Sequence, residues 1–232
     1  MRKAALALIL GVSLAASAGA ALALPPVVVE LFTSQGCSSC VNSGQLIAAL
    51  DQRPRVLTLT FPVGYWDYLG WPDTLAMPEF DDRQRAYMRA FALRDVYTPQ
   101  VVVNGRLQAA AVDGATIDKL VKTALRTPAD PPQVALSKTR LAVGSGDAPA
   151  GGADVWLIRY RPGDQSVRVL AGENRGKTIL EHNVVRELQR LGAWRGRPVR
   201  FHVPPPDDSG LKAVAIVQAV RSGRILAVGH AS

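Results

Sequence analysis

Two cysteines, Cys37 and Cys40, stand three positions apart in a chain of 232 residues, with Ser38 and Ser39 between them. A thiolate is the nucleophile of disulfide chemistry, and a second thiol one turn away can attack back to resolve a mixed disulfide. The spacing is poor for a staple. The chain-entropy model gives about 2 kcal/mol for so small a loop, against about 3 kcal/mol for a loop of about 15 residues. In this reading Cys37 attacks and Cys40 resolves.

Other chemistry is thinly represented. Two thiolates suit Cu(I), a soft ion. Zinc needs four ligands, and His182, His202 and His230 lie far along the chain without ligand spacing, so no metal site is assigned. There is no phosphate-binding loop, serine-hydrolase elbow, zinc-protease helix or dinucleotide fingerprint, and no organic cofactor is called for. The glycine pair in Gly172-Glu173-Asn174-Arg175-Gly176 reads as a turn. Glu30 interrupts an apolar run, where a buried carboxylate is costly unless paired or protonated. Tyr65, Trp66, Tyr68 and Trp71 crowd one loop. They read either as a wall beside the cysteines for a peptide substrate, with Trp66 and Tyr68 foremost, or as packing between domains.

The elements that position the dithiol follow from pattern. The β-branched run over 27–32 predicts a buried strand, and from Cys37 the spacing of Leu46, Ile47 and Leu50 predicts a helix. A strand over 56–61, a helix over about 79–93 and a strand at 101–103 come next. Asn104-Gly105 then predicts a hairpin into 106–112, and a helix over 115–126 closes the series. A cysteine at the start of a helix gains from unpaired N–H groups and the macrodipole, which lower its pKa from about 8.5.

The order β-α-β-α-β-β-α implies a mixed sheet with helices on both faces over 24–127. Residues 128–133 read as a linker, and 134–232 as a small all-β, sandwich-like domain. Its expected strands are 134–143, 155–160, 167–171, 199–203, 211–220 and 224–229. The stretch 182–191 fits a helix by spacing, but its place among strands favours a strand.

Composition bounds the rest. The net charge is +8, yet Lys and Arg are scattered, without the runs or aromatic interleaving of a nucleic-acid surface. Arg2 and Lys3 precede an apolar stretch and small residues, a signal-peptide pattern over 1–23. Nothing later is apolar enough to span a membrane. The expectation is a periplasmic or secreted protein with no stable membrane insertion after cleavage, in a compartment where thiols are paired.

Three long segments carry a resemblance. Val29-Glu30-Leu31-Phe32-Thr33-Ser34-Gln35-Gly36-Cys37-Ser38-Ser39-Cys40, Tyr65 to Trp71 and Val96 to Gly105 resemble an exported bacterial family, DUF1223, as do Gly172-Glu173-Asn174 and Asn183 to Arg186. Residues 27–126 look like a thioredoxin fold. That resemblance implies a cis-proline at Thr98-Pro99 across from the dithiol, substrate contacts from Ser38, Ser39, Thr98 and Pro99, and a proton-accepting role toward Cys40 for Glu30. It implies a thiol–disulfide oxidoreductase acting on protein or peptide thiols, with a redox partner protein. A Cu(I) carrier and a non-catalytic binding protein with a stable disulfide are the alternatives. The chain departs from thioredoxins in having Gly36 before Cys37 and Ser38-Ser39 between the cysteines. It departs from DUF1223 relatives in having Pro62 and Gly64 around Val63 where they tend to carry His and Asp, and Val41 where they have Pro.

Overall fold

The computed structural model describes residues 25–127 and 130–231. The expected signal segment at 1–23 lies outside them. The first half runs β1 (Val27–Thr33), α1 (Ser43–Asp51), β2 (Val56–Pro62), α2 (Pro78–Ala90), β3 (Gln100–Val103), β4 (Leu107–Ala110) and α3 (Gly114–Arg126), the order expected. β1 is buried along its whole length because it is central, parallel to β2 on one side and antiparallel to β3 on the other. Its alternation splits two cores. Val27, Val29 and Leu31 pack with Ile47 and Leu50 of α1 and Ile117 and Val121 of α3. Val28 and Phe32 pack with Phe80 and Tyr87 of α2. Asn104 and Gly105 both have positive φ and turn β3 into β4, as that dipeptide dictates.

The second half contains β5 (Val134–Leu136), β6 (Arg140–Val143), β7 (Ala153–Arg168), β8 (Thr178–Trp194), β9 (Val199–His202), β10 (Lys212–Ala219) and β11 (Ile225–His230). Here the structure corrects the expected organisation. β7, β8, β10 and β11 do not form a sheet of their own. They continue the first one, giving eight strands in the order β11-β10-β7-β8-β2-β1-β3-β4. The expected sandwich exists in part. A three-stranded sheet, β5-β6-β9, lays Leu136, Leu141 and Val143 against Val155, Leu157, Ala215 and Val217 of the large sheet. The linker expected at 128–133 therefore does not separate two independent sheets. The stretch 134–143 is two strands rather than one, and 182–191 lies within β8. Of the strand expected at 167–171 only 167–168 is strand, as the tail of β7.

The β7–β8 hairpin is long and bent. Register shifts interrupt it at Val155/Trp156, Arg159/Tyr160 and between Arg161 and Asp164. Asn183 takes a positive φ, and its Oδ1 accepts from Gly163 N at 2.9 Å. β8 meets β2 in the parallel register Thr60↔Val184, and its preceding residues run against α1. The crossing is close, since a Cβ on Gly44 of α1 would lie 1.8 Å from the Leu180 carbonyl oxygen. Among the described residues, no helix is long and apolar enough to cross a membrane.

Candidate functional site

The C-terminal end of β1 delivers the chain through Ser34, Gln35 and Gly36 to Cys37, which forms a disulfide with Cys40 across a Cα–Cα distance of 5.3 Å. Both cysteines are buried, while Ser38 and Ser39 are exposed. Cys37 Sγ lies 3.7 Å from the Thr98 carbonyl oxygen and 3.2 Å from Ser39 Oγ. Ser39 Oγ donates to the same Thr98 oxygen at 3.4 Å, and the Thr98–Pro99 peptide bond is cis. Trp66 Nε1 donates to Thr98 Oγ1 at 2.7 Å, and Tyr68, 76% exposed, stacks on Trp66. Ser39 and Thr98 thus stand at Cys37, Pro99 follows Thr98 in the chain, and Trp66 reaches the group through Thr98, with Tyr68 stacked on Trp66.

Two expectations need correction. Cys37 does not begin an α-helix. It caps a three-residue 3₁₀ turn, Ser38–Cys40, and α1 starts only at Ser43. So short a turn offers little aligned dipole, and the polar groups beside the Cys37 sulfur are the Ser39 hydroxyl and the Thr98 carbonyl. Glu30 is also engaged elsewhere. It points to the α2 face of the sheet, where Arg83 Nε donates to its Oε1 at 2.7 Å and the Tyr87 hydroxyl bonds its Oε2. Gln218 joins the cluster through Arg83 and Tyr87. With a buried guanidinium and a phenol already on it, Glu30 is part of a structural ion pair and not a free proton acceptor for Cys40.

Other residues hold the dithiol loop, and the sequence reading passed them over. Asn174, fully buried in the β7–β8 connection, donates through Nδ2 to the carbonyls of Gln35 and Cys37, each at 2.9 Å. Lys177 Nζ bonds its Oδ1 at 3.0 Å. The sequence signal was the Gly172-Glu173-Asn174 segment. Gln35 N donates to Asp73 Oδ2 at 2.7 Å, and Gln35 Oε1 accepts from Trp71 Nε1 at 3.0 Å. Burial pushes the Asp73 carboxyl up to about 6, with the nearby Asp67 charge adding and N–H donors from Gln35 and Leu75 opposing.

Glu181 of β8 is the second residue missed. It is 1% exposed, and among the described residues neither carboxyl oxygen has a hydrogen-bond partner. Burial holds its pKa well above the usual range, and the charge of Asp73 raises it further. The Gln35 side chain and Arg186 pull the other way. Its sequence setting is weaker than that of Glu30: Ile179 and Leu180 precede it, but His182 and Asn183 follow.

Among the described residues, no group of three or more His, Cys, Asp or Glu side chains is arranged to hold a metal ion. His182 is flanked by Asp164 on Nδ1 at 2.5 Å and Asp51 on Nε2 at 3.1 Å, one carboxylate to each nitrogen.

The model of a family described as a protein of unknown function, DUF1223, matches residues 28–218. The chain belongs to the DUF1223 family. It is similar to a crystal structure of a protein from Agrobacterium tumefaciens, with 31% identity and a TM-score of 0.69 over 87% of this chain and 90% of that one. No curated protein matches it. The family match takes in both the dithiol and Asn174, which holds its loop from the far half. In this DUF1223 chain, then, the site and its support lie inside the matched region.

Proposed function

We propose that the protein is a thioredoxin-like thiol–disulfide oxidoreductase that works outside the cytoplasm on protein or peptide thiols. The observation that carries the reading is the closed Cys37–Cys40 pair at the end of the central strand. The Thr98 carbonyl stands against Cys37, and Trp66, bonded to Thr98 and stacked with Tyr68, forms an aromatic rim beside it. The fold supports it through the element order β-α-β-α-β-β-α and the strand order β2-β1-β3-β4. The location rests on the signal-like segment at 1–23.

In the reducing direction the Cys37 thiolate attacks a substrate disulfide. It bonds to one substrate sulfur and expels the other as a thiolate. Cys40 then attacks Cys37 Sγ, the Cys37–Cys40 bond forms, and the second substrate thiolate leaves. Two electrons pass from the dithiol to the substrate. The oxidising direction is the same path reversed. The exposed backbone of Ser38 and Ser39 and the Trp66–Tyr68 stack are where a substrate segment rests.

The test is trapping. Cys40→Ser is expected to accumulate a mixed disulfide with a peptide substrate, and Cys37→Ser to accumulate none. Equal trapping by both variants rejects the assigned roles. A reduction potential above about −250 mV fits a working catalyst, and one below about −300 mV marks a resistant, inert disulfide of a binding protein. Tight Cu(I) uptake by the reduced protein, without trapping by either variant, would support the carrier reading instead.

A further inference from the structure

Cations that are dispersed along the sequence are collected by the small sheet. The segments 137–143 and 195–202 supply Lys138, Arg140, Arg195, Arg197 and Arg200 and contain no Asp or Glu. All five side chains are exposed. Among the described residues none of them enters an ion pair. The pleat fixes the direction of two. In β6, Leu141 and Val143 are buried against the large sheet, so Arg140 and Ala142 face outward. In β9, Val199 and Phe201 pack on the same core, so Arg200 and His202 face outward. The register agrees, pairing Arg140 with His202 and Ala142 with Arg200. Arg140 and Arg200 are thus diagonal neighbours, a spacing of about 7–8 Å. Lys138 precedes β6 at one end of this face, and Arg195 and Arg197 precede β9 at the other.

Like charges gathered in this way repel one another and add nothing to folding stability. They suit an anionic partner. We propose that the outer face of β5-β6-β9 docks the protein on an anionic phospholipid membrane, as a reversible surface contact without insertion. Arginine forks bond phosphate oxygens bidentately, and the long stems of Arg and Lys let the charged ends reach the headgroups. The other outward residues decide between partners. They are Ala135, Ala142 and His202, with no Phe, Tyr or Trp among them. A protein partner is held by a buried aromatic or Arg anchor seated in a pocket, and this open face offers no pocket. A single nucleic-acid strand stacks its bases on aromatic rings, which are missing here. An open face of cations matches a layer of phosphate headgroups.

Neighbouring acids do not neutralise the face. Residues 146–148 pack on Gly196, and Asp147 among them is exposed and makes no ion pair with the five cations. Asp154, Glu187 and Asp208 are engaged by Arg190, Arg159 and Arg161. Each Lys or Arg at an anionic leaflet strengthens binding about five-fold, so a few such contacts suffice for a measurable affinity at low salt. The proposal leans on the exported location only for which membrane is met, and it is independent of the dithiol chemistry.

The experiment is co-flotation of the mature chain, residues 24–232, with vesicles of phosphatidylglycerol and phosphatidylcholine in equal parts at low salt. The protein is expected to float with them and to stay behind with vesicles of phosphatidylcholine alone. Binding should weaken as salt shortens the Debye length toward about 8 Å at about 0.15 M. Arg140→Gln combined with Arg200→Gln should weaken it about 25-fold, two contacts at about five-fold each. Arg89→Gln combined with Lys119→Gln removes the same charge from exposed positions on α2 and α3 and should change binding far less. Should the first pair not fold, Arg195→Gln with Arg197→Gln replaces it, with the same loss expected. No flotation overturns the proposal. Equal weakening by the face pair and the helix pair overturns it too, since net charge and not the face would then be responsible. Duplex DNA that displaces the vesicles, with the same loss in the face pair, overturns the choice of lipid.

Discussion

Replacing Gly44 by alanine sets two physical effects against each other, and the structure decides between them. Gly44 is the second residue of α1, and in an exposed helix Ala is favoured over Gly by about 1 kcal/mol. The backbone here is in no special conformation that glycine alone can adopt, so propensity by itself predicts stabilisation. A Cβ at this position, however, would sit 1.8 Å from the Leu180 carbonyl oxygen and 2.7 Å from its carbon. Those are backbone atoms of β8, which is tied to β2 and β7 on either side and cannot swing away like a side chain. Overpacking a core costs about 1–3 kcal/mol and sometimes more. A contact this short belongs at the top of that range, and the propensity gain offsets only part of it. The expected net loss is about 2–3 kcal/mol, or roughly 4–12 °C in Tm for a chain of this size. Urea unfolding monitored by tryptophan fluorescence measures it. Gly114→Ala, at the start of α3 where the nearest atom is the end of the Leu46 side chain at 3.4 Å, is the control and should be near neutral. A Gly44→Ala protein as stable as the native one would refute the close crossing of β8 over α1, and with it the placement of Glu181.

Two further outcomes follow from buried charge. Arg83→Leu should cost about 3–5 kcal/mol in urea unfolding, because it strands Glu30 without its cation in a fully enclosed site; adding Glu30→Leu should recover most of the loss, and a single variant within about 1 kcal/mol of native would contradict the pairing. His182 has its pKa raised, first by the Asp51 hydrogen bond, with burial opposing and Asp164 adding. Its folded value therefore lies above the unfolded value of about 6.5, so its stabilisation is complete below about pH 6.5 and fades as pH rises through the folded value. His182→Gln should cost most stability in mildly acidic buffer and progressively less as the pH is raised, and a pH-independent loss in thermal scans would argue against the Asp164–His182–Asp51 arrangement.

What the sequence disclosed, and what it did not, follows from the range of each interaction. The β1 run of valines and the Asn104-Gly105 turn are local signals, and both are realised. β8 was ambiguous because Val184, Val185, Leu188 and Leu191 lack strict alternation. The register shifts at Val155/Trp156 and Arg159/Tyr160 explain why, since each one resets which face the hairpin presents. Glu30 interrupts an apolar run, whereas Glu181 has apolar residues only before it, with His182 and Asn183 after. Tertiary partners separate them further: Arg83 and Tyr87 complete Glu30, while among the described residues neither Glu181 oxygen has a hydrogen-bond partner. The 3₁₀ turn after Cys37 was missed for a similar reason. Helical periodicity locates the apolar face of α1 but not the residue at which the helix begins.

The continuity of the sheet bears directly on how the site works. Within the first half alone, β2 would be an open edge beside β1, with unpaired backbone groups. The second half closes that edge in an unusual way. β8 pairs with β2 at Thr60↔Val184, Thr60 Oγ1 donates to the His182 carbonyl at 2.5 Å, and Asn183 Nδ2 reaches the Thr58 carbonyl at 3.2 Å. To do so β8 must first run against α1, and the β7–β8 connection brings Asn174 onto the Gln35 and Cys37 carbonyls. Covering an exposed strand and furnishing the dithiol are thus one structural act. A β domain joined only by a linker could be lost without touching the cysteines; here the hairpin that caps the sheet also carries Asn174, which holds the dithiol loop. The purpose of the C-terminal half is therefore to be sought at the dithiol as much as on its own outer surface.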